Sequence, residues 1–331
     1  MKVDLGKLFA DTSKIKALVI GDIMLDTYWW GNVERISPEA PVPVVAVNKR
    51  EKRIGGAGNV ALNIQALGAP VAMITILGDD DDGVQLKQLL QENNIDTRYI
   101  LESKKRITTN KIRIISRNQQ MMRLDAEHTE DIEPSDETKL KDQVEKYIVS
   151  EKPGVVILED YNKGILTENI IQHTIALCNK HNIFITVDPK RKNFFAYRNA
   201  TLFKPNLHEV FTSLNMLPQE ISVDLLSSIH DKLKENLNHT ISMITLSDKG
   251  VFYQGKNDGQ IIPSHRRNIA DVSGAGDTVI AVASLVYAAS ENIRLAAEIA
   301  NIAGGIVCEE VGTVAINKEK LLKECKELMT E

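Results

Sequence analysis

Short all-apolar runs alternate along this chain with longer segments in which apolar residues recur every three or four positions. Ala17-Leu18-Val19-Ile20, ended by Gly21-Asp22, reads as a strand buried on both faces whose carboxyl end opens onto a crevice. Residues 71–77, 155–158, 183–187, 202–203 and 242–246 repeat that texture. Between them the period changes to that of a helix. Val60, Ile64 and Leu67 share one face of a segment that ends at Gly68, and residues 82–93 turn Val84, Leu86, Leu89 and Leu90 inward. Residues 135–150, 167–181 and 225–237 continue the series, with a further helix after Pro205. Such alternation predicts an α/β fold with a mostly parallel central sheet and helices on both faces.

Two stretches break the rhythm. Residues 27–47 begin Thr27-Tyr28-Trp29-Trp30 and pass through Ser37-Pro38-Glu39-Ala40-Pro41-Val42-Pro43, a proline density that central strands exclude. Residues 107–125 hold Lys111-Ile112-Arg113-Ile114 and Met121-Met122-Arg123-Leu124-Asp125 around the polar turn Asn118-Gln119-Gln120. Together they predict four short strands forming a small β-lid inserted in one domain that spans residues 1–331. No internal repeat or low-complexity linker divides the chain.

Composition narrows the class. The 331 residues carry a formal net charge of −5 and no long basic run, which argues against nucleic acid as a partner. The longest apolar-rich run, residues 279–289, falls short of the roughly 20 residues needed to cross a bilayer and predicts a buried helix. The N-terminus is interspersed with Lys2, Asp4, Lys7 and Asp11, unlike a secretory signal. Cys178, Cys308 and Cys325 are far apart and suggest neither a disulfide framework nor a zinc site. The expected setting is the cytoplasm.

The candidate chemistry gathers in Asp271-Val272-Ser273-Gly274-Ala275-Gly276-Asp277-Thr278, directly before the buried helix. Gly274 and Gly276 let the backbone turn its N–H groups toward a ligand, and the helix N-terminus favours negative charge. A phosphate fits such a site, and Asp277 beside it can take a proton from a hydroxyl. The same residues also describe a glycine-rich turn with Asp277 as a helix cap.

With Gly55-Gly56-Ala57-Gly58-Asn59 early and residues 271–278 late, the chain resembles the ribokinase (PfkB) family of small-molecule kinases over essentially its whole length. Gly21-Asp22-Ile23-Met24-Leu25-Asp26, the run Arg35-Ile36-Ser37-Pro38-Glu39-Ala40-Pro41-Val42-Pro43 and Asp160-Tyr161-Asn162-Lys163-Gly164 resemble, within that family, the D-glycero-D-manno-heptose 7-phosphate kinases. The resemblance implies ATP-dependent phosphorylation of the anomeric (C1) hydroxyl of that sugar phosphate, a step toward ADP-heptose and the lipopolysaccharide core. It implies that Asp277 is the general base and that the amides of Gly274, Ala275 and Gly276 form the anion hole. Asn206 and Glu209 would hold Mg²⁺ through water, or equally start a helix with a capping box. Ser247, Gly250 and Asn301 would line the nucleotide site. Asp26, Gly55, Gly56 and Asn59 would hold the sugar.

For the sugar's own phosphate the candidate cations are Arg113, Arg123, Lys163, Lys190 and Arg191, with Arg123 and Lys163 ranked first. Whether a monovalent cation such as K⁺ takes part is left open. The sequence shows no H-x-G-H run of a nucleotidyl-transferring domain, so the expectation covers the kinase step alone. A kinase for another sugar or a nucleoside, and a catalytically silent sugar or nucleotide sensor, are the competing readings. A dinucleotide-dependent oxidoreductase is weaker, because no G-x-G-x-x-G follows the first strand. The lid's Tyr28, Trp29, Trp30, Val42, Val44 and Val45 offer more apolar surface than one sugar can cover, so a homodimer joined lid to lid is expected.

Overall fold

The computed structural model describes residues 3–117, 119–256 and 259–329; Asn118, part of the expected turn, lies outside the described residues. The chain begins with α1 (Leu5–Thr12), β1 (Ala17–Gly21) and two fourteen-residue strands, β2 (Ile23–Ile36) and β3 (Pro43–Gly56). Next come α2 (Ala57–Ala66), β4 (Val71–Ile74), β5 (Ile76–Gly78), α3 (Asp81–Glu92) and β6 (Leu101–Ser103). They are followed by β7 (Asn110–Ser116), β8 (Gln119–Ala126), α4 (Pro134–Glu151), β9 (Val155–Glu159), α5 (Glu168–Lys180) and β10 (Phe184–Asp188). Then come β11 (Leu202–Phe203), α6 (Leu207–Ser213), α7 (Val223–Leu237), β12 (Ile241–Thr245), β13 (Val251–Gln254) and β14 (Gln260–Ile262). Helices α8 (Ala275–Ser290), α9 (Ile293–Val307) and α10 (Lys318–Leu328) follow.

The main sheet has eight strands in the order β14-β13-β12-β11-β10-β9-β1-β4. Strands β4 to β12 of that order pair in parallel, as the alternating pattern predicts. Alternation then sorts the side chains: Ala17, Val19, Val155 and Ile157 join the core under α2, α8 and α9. Leu18, Ile20, Val156 and Leu158 join the core under α4, α5 and α7. Helix α8 is apolar nearly all round and is buried from Asp277 to Val286, as a helix without a polar face must be. Strands β13 and β14 add an antiparallel edge that the sequence reading does not contain, since runs this short carry no readable period. The run at 71–77 divides at Thr75: β4 enters the main sheet, whereas β5 pairs with β6.

Strand order reverses beside β1. From β9 it proceeds through β10 to β12 on one side, while β1 leads to β4 on the other, and ligand crevices form over the carboxyl ends at such a point. Those ends deliver Asp22, Glu159-Asp160-Tyr161, Asp188 and Lys204-Pro205-Asn206 to one region.

A second sheet, ordered β3-β2-β7-β8, stands apart. The four short strands expected there include two of fourteen residues: β2 starts at Ile23, immediately after the central strand, and β3 runs on to Gly56. The charged run 48–53 lies beyond the lid segment expected at 27–47. It is a strand because β3 lies at the sheet edge, where charge on both faces is tolerated and blocks further pairing.

Candidate active site

Helix α8 starts from Gly274 in the left-handed region (φ 78°), where a Cβ would also come 2.7 Å from Asn59 Nδ2. At Gly276 a Cβ would meet nothing nearer than Asp188 Oδ2 and Lys204 Nζ at 3.9 Å, so packing does not require glycine there. The lack of a side chain instead lets an anion reach the first-turn N–H groups. The loop before the helix is tied down by Asp271, which accepts from Ser273 N at 2.9 Å, Ser273 Oγ at 2.8 Å and Gly312 N at 2.9 Å.

Asp277 is 4% exposed, and each of its oxygens takes a donor: Asn59 Nδ2 at 2.8 Å on Oδ2 and the Tyr161 hydroxyl at 2.6 Å on Oδ1. Burial pushes its pKa up to about 6, against the pull of those two donors. The group is therefore ionised at neutral pH yet holds a proton far better than an ordinary aspartate, which suits a general base. Asn59, expected at the sugar, is fully buried, and Asn63 Nδ2 fixes its amide by donating to its Oδ1 at 3.3 Å. Its contact is with Asp277. Tyr161 is aimed by the loop after β9, where the Asp22 carboxylate accepts from the N–H groups of Tyr161 (2.8 Å), Lys163 (3.0 Å) and Ile165 (3.1 Å).

From Gly276 a line of alternating charges leads to α6. Lys204 Nζ lies 2.8 Å from Asp188 Oδ2, Lys190 Nζ 3.2 Å from Asp188 Oδ1, and Lys190 Nζ 3.0 Å from Glu209 Oε1. Burial opposes the charge on Lys190, but Asp188 and Glu209 outweigh it and hold the ammonium protonated. Lys190, a candidate for the sugar phosphate, thus stands at the opposite end of the site. Asn206 and Glu209 form a reciprocal capping box, with both bonds 2.8 Å. Their remaining capacity fits a hydrated cation held through water, and no group of three or more metal-ligating side chains occurs among the described residues. Glu159, wholly buried, has no partner on either carboxylate oxygen; burial, then Asp188 and Asp277, drive its pKa far up and keep it neutral.

At the other end, Arg53, Asp26, Lys111 and Asp125 stand in one cross-strand row, and Glu51, Tyr28, Arg113 and Arg123 in the next. Arg113 leans to Asp26, with Nη1 2.5 Å from Oδ1, and Thr313 Oγ1 donates to Oδ2 at 3.2 Å. Gly55 sits where a Cβ would overlap the Asp26 carboxylate, and at Gly56 (φ 60°) a Cβ would lie 2.5 Å from the Asp22 carbonyl. Gly55 thus makes room for a carboxylate and Gly56 for a backbone carbonyl. Lys163 and Lys111 share Glu127, at 2.8 and 3.2 Å. Arg123, ranked first from sequence, is 48% exposed and turned to Asp125 at 2.8 Å, one strand beyond Arg113.

The expected nucleotide residues cluster at the end of β12. Ser247 is exposed, and a parallel bridge between Asn206 and Thr245 sets it beside the capping box. Gly250 (φ 96°) has a structural reason, since a Cβ would overlap the Ile262 carbonyl. Asn301 on α9 donates to the Pro263 carbonyl at 2.9 Å. Sequence reasoning missed Asp188, Lys204 and Lys111 and gave Tyr161 no role. A carboxylate ending a buried strand, as Asp188 does, is the one signal that could have found them.

The profile described as pfkB family carbohydrate kinase matches residues 14–320. The chain is 38% identical over 319 residues to the bifunctional protein HldE of Geobacter sulfurreducens, covering 95% of this chain and 64% of that protein. With the HldE protein of Helicobacter acinonychis it shares 40% over 306 residues, 92% of this chain and 65% of the relative. The chain thus spans just under two thirds of these relatives. Among solved structures, Escherichia coli phosphofructokinase-2 in complex with potassium superposes with a TM-score of 0.80 at 19% identity, covering 96% of this chain and 99% of that one. Arabidopsis thaliana ribokinase with ribose and ATP gives 0.73 at 15%, covering 94% and 99%.

Proposed function

Because the chain belongs to the pfkB family of carbohydrate kinases, we propose that it transfers the γ-phosphoryl group of ATP to the anomeric hydroxyl of D-glycero-D-manno-heptose 7-phosphate. The products are the 1,7-bisphosphate and ADP, on the way to ADP-heptose for lipopolysaccharide core. The observation that carries the reading is the Asp277 carboxylate, buried at the N-terminus of α8 beside the open backbone of Gly276. Asp277 accepts the proton of the C1 hydroxyl as that oxygen bonds to phosphorus and the bond to the ADP oxygen breaks. The amides of Gly274, Ala275 and Gly276, with Lys204 behind them, meet charge on the transferring group. Asn206 and Glu209 would hold Mg²⁺ through water, and the ion would supply charge neutralisation on the nucleotide phosphates.

Asp26 receives sugar hydroxyls, and Arg113, paired with it, together with Lys111 and Lys163, which share Glu127, suits a phosphate at the far end of the sugar. The HldE relatives support a heptose, since this chain matches them over nearly its whole length. The second sheet is the lid, and its outer face supports a homodimer. Trp29, Ile114 and Met122 form one row there and Thr27, Ile112 and Leu124 the next, with Met122 55% and Leu124 44% exposed. Trp30 shares the opposite face with Asp26 and Tyr28.

A coupled ADP-release assay across sugar phosphates, with the product position fixed by phosphorus NMR, tests the substrate. Specificity for the heptose 7-phosphate should exceed that for the unphosphorylated sugar by about a hundredfold or more, as unmet charge-assisted bonds cost several kcal/mol. Comparable specificity constants for heptose, ribose and fructose would reject it. Light scattering should give about twice 36.8 kDa, with Met122→Lys shifting the mass toward the monomer.

A further inference from the structure

Tyr161 touches both halves of the transfer machinery. Its hydroxyl donates to Asp277 Oδ1 at 2.6 Å, and its ring carries the Lys190 ammonium 5.4 Å from the centroid. Lys190 in turn bridges Asp188 and Glu209. The side chain has little freedom, since its own N–H is fixed by Asp22 and the neighbouring Asp160 carboxylate is held by the Tyr197 hydroxyl at 2.7 Å. We propose that Tyr161 is a positioning residue of phosphoryl transfer: its phenol keeps the base ionised and oriented, and its ring seats Lys190 against the nucleotide end of the site.

Enclosure first, and then the charge of Asp277, push the phenol pKa well above its ordinary value, so at working pH Tyr161 is always a donor. A carboxylate offers about four lone-pair positions, and Asn59 and Tyr161 use two, which leaves room for the incoming hydroxyl. The groups facing Asp277 are Asn59 from α2, Tyr161 and Glu159 from the end of β9, and Asp188 with Lys190 from the end of β10. Of these only Asn59 and Tyr161 donate hydrogen bonds to it. Loss of the phenol therefore favours the protonated, inactive carboxyl.

The proposal rests on Asp277 being the base, and the test separates the two ideas. Tyr161→Phe keeps the ring and removes the hydroxyl; Tyr161→Leu removes both. In the full chain, the Asp277 carboxyl is titrated by carbon-13 NMR without substrates, and the turnover rate is followed against pH with both substrates saturating. For Tyr161→Phe the NMR midpoint and the acid limb should both rise by about one pH unit, and turnover should fall about tenfold, the effect of one bond to a charged group. Nucleotide KM should stay within about twofold for Phe and rise about fivefold or more for Leu, in line with a lost cation–π seat. A side chain that only packs would move neither midpoint nor limb, and an unmoved midpoint in Tyr161→Phe overturns the proposal. A shifted midpoint alongside an Asp277→Asn variant of full activity would instead overturn the assignment of the base and leave the clamp standing.

Discussion

At the α8 end of the site Asp277 meets two neutral donors, whereas at the second sheet Asp26 meets the guanidinium of Arg113. The first arrangement is buried, anchored to the carboxyl ends of parallel strands, and leaves the Asp277 carboxyl with a pKa of about 6. The second, no less buried at Asp26, is an ion pair between β2 and β7 on an outlying sheet. A proton acceptor must be ionised yet willing, so it is surrounded by groups that orient it without cancelling its charge. A carboxylate that only binds hydroxyls can instead be held by a cation that also recognises phosphate. On the proposed function, the difference separates the part that would do chemistry from the part that would select.

Removing the base should break the comparison hardest. Asp277→Asn is nearly isosteric and should lower turnover at least about a hundredfold while nucleotide binding stays nearly intact; a rate close to that of the parent, with chemistry limiting, would deny Asp277 its role. The pH profile comes next. Since the carboxyl titrates near 6 and works only when ionised, turnover should fall about tenfold per pH unit below that value and level off above it. An acid limb near 4 would mean that burial does not tune this group. At the other end, Arg113→Met should cost about 1.5–3 kcal/mol in kcat/KM for the sugar phosphate with nucleotide KM unchanged; steady-state kinetics with each substrate varied decides it. Arg123→Ala should change every constant by less than about twofold, as expected for an exposed pair. A tenfold loss there would move the phosphate-recognising cation one strand outward.

The chemical end was readable because its residues are contiguous: Gly274, Gly276 and Asp277 declare a turn, a close approach and a charge within four positions. What holds them was not, because Asn59 and Tyr161 lie 218 and 116 residues from Asp277 and meet it only through the fold. The parallel strands were legible from their uniform burial, whereas the antiparallel edge β13–β14 was too short to show a period. The sequence ranks Arg123 with Lys163, whereas strand pairing sets Arg113 beside Asp26. Both are strand arginines in sequence, and only pairing shows that β7 is the neighbour of β2 and β8 is not.

Strand β2 leaves the crevice at Ile23, carries Asp26 three residues later and ends at Ile36, a span of about 45 Å for fourteen residues. In mechanical terms it is a lever with Asp26 beside its pivot and the exposed Ile36 at its tip. The ladder to β3 is regular from Ile23 to Trp30 and slips between Trp30 and Gly31 and again between Val33 and Arg35. Stiffness is thus concentrated in the first eight residues, while the two slips act as a compliant joint. Displacement of the tip is thus separated from Asp26 by both slips, whereas displacement nearer than Gly31 moves the same regular ladder that carries Asp26.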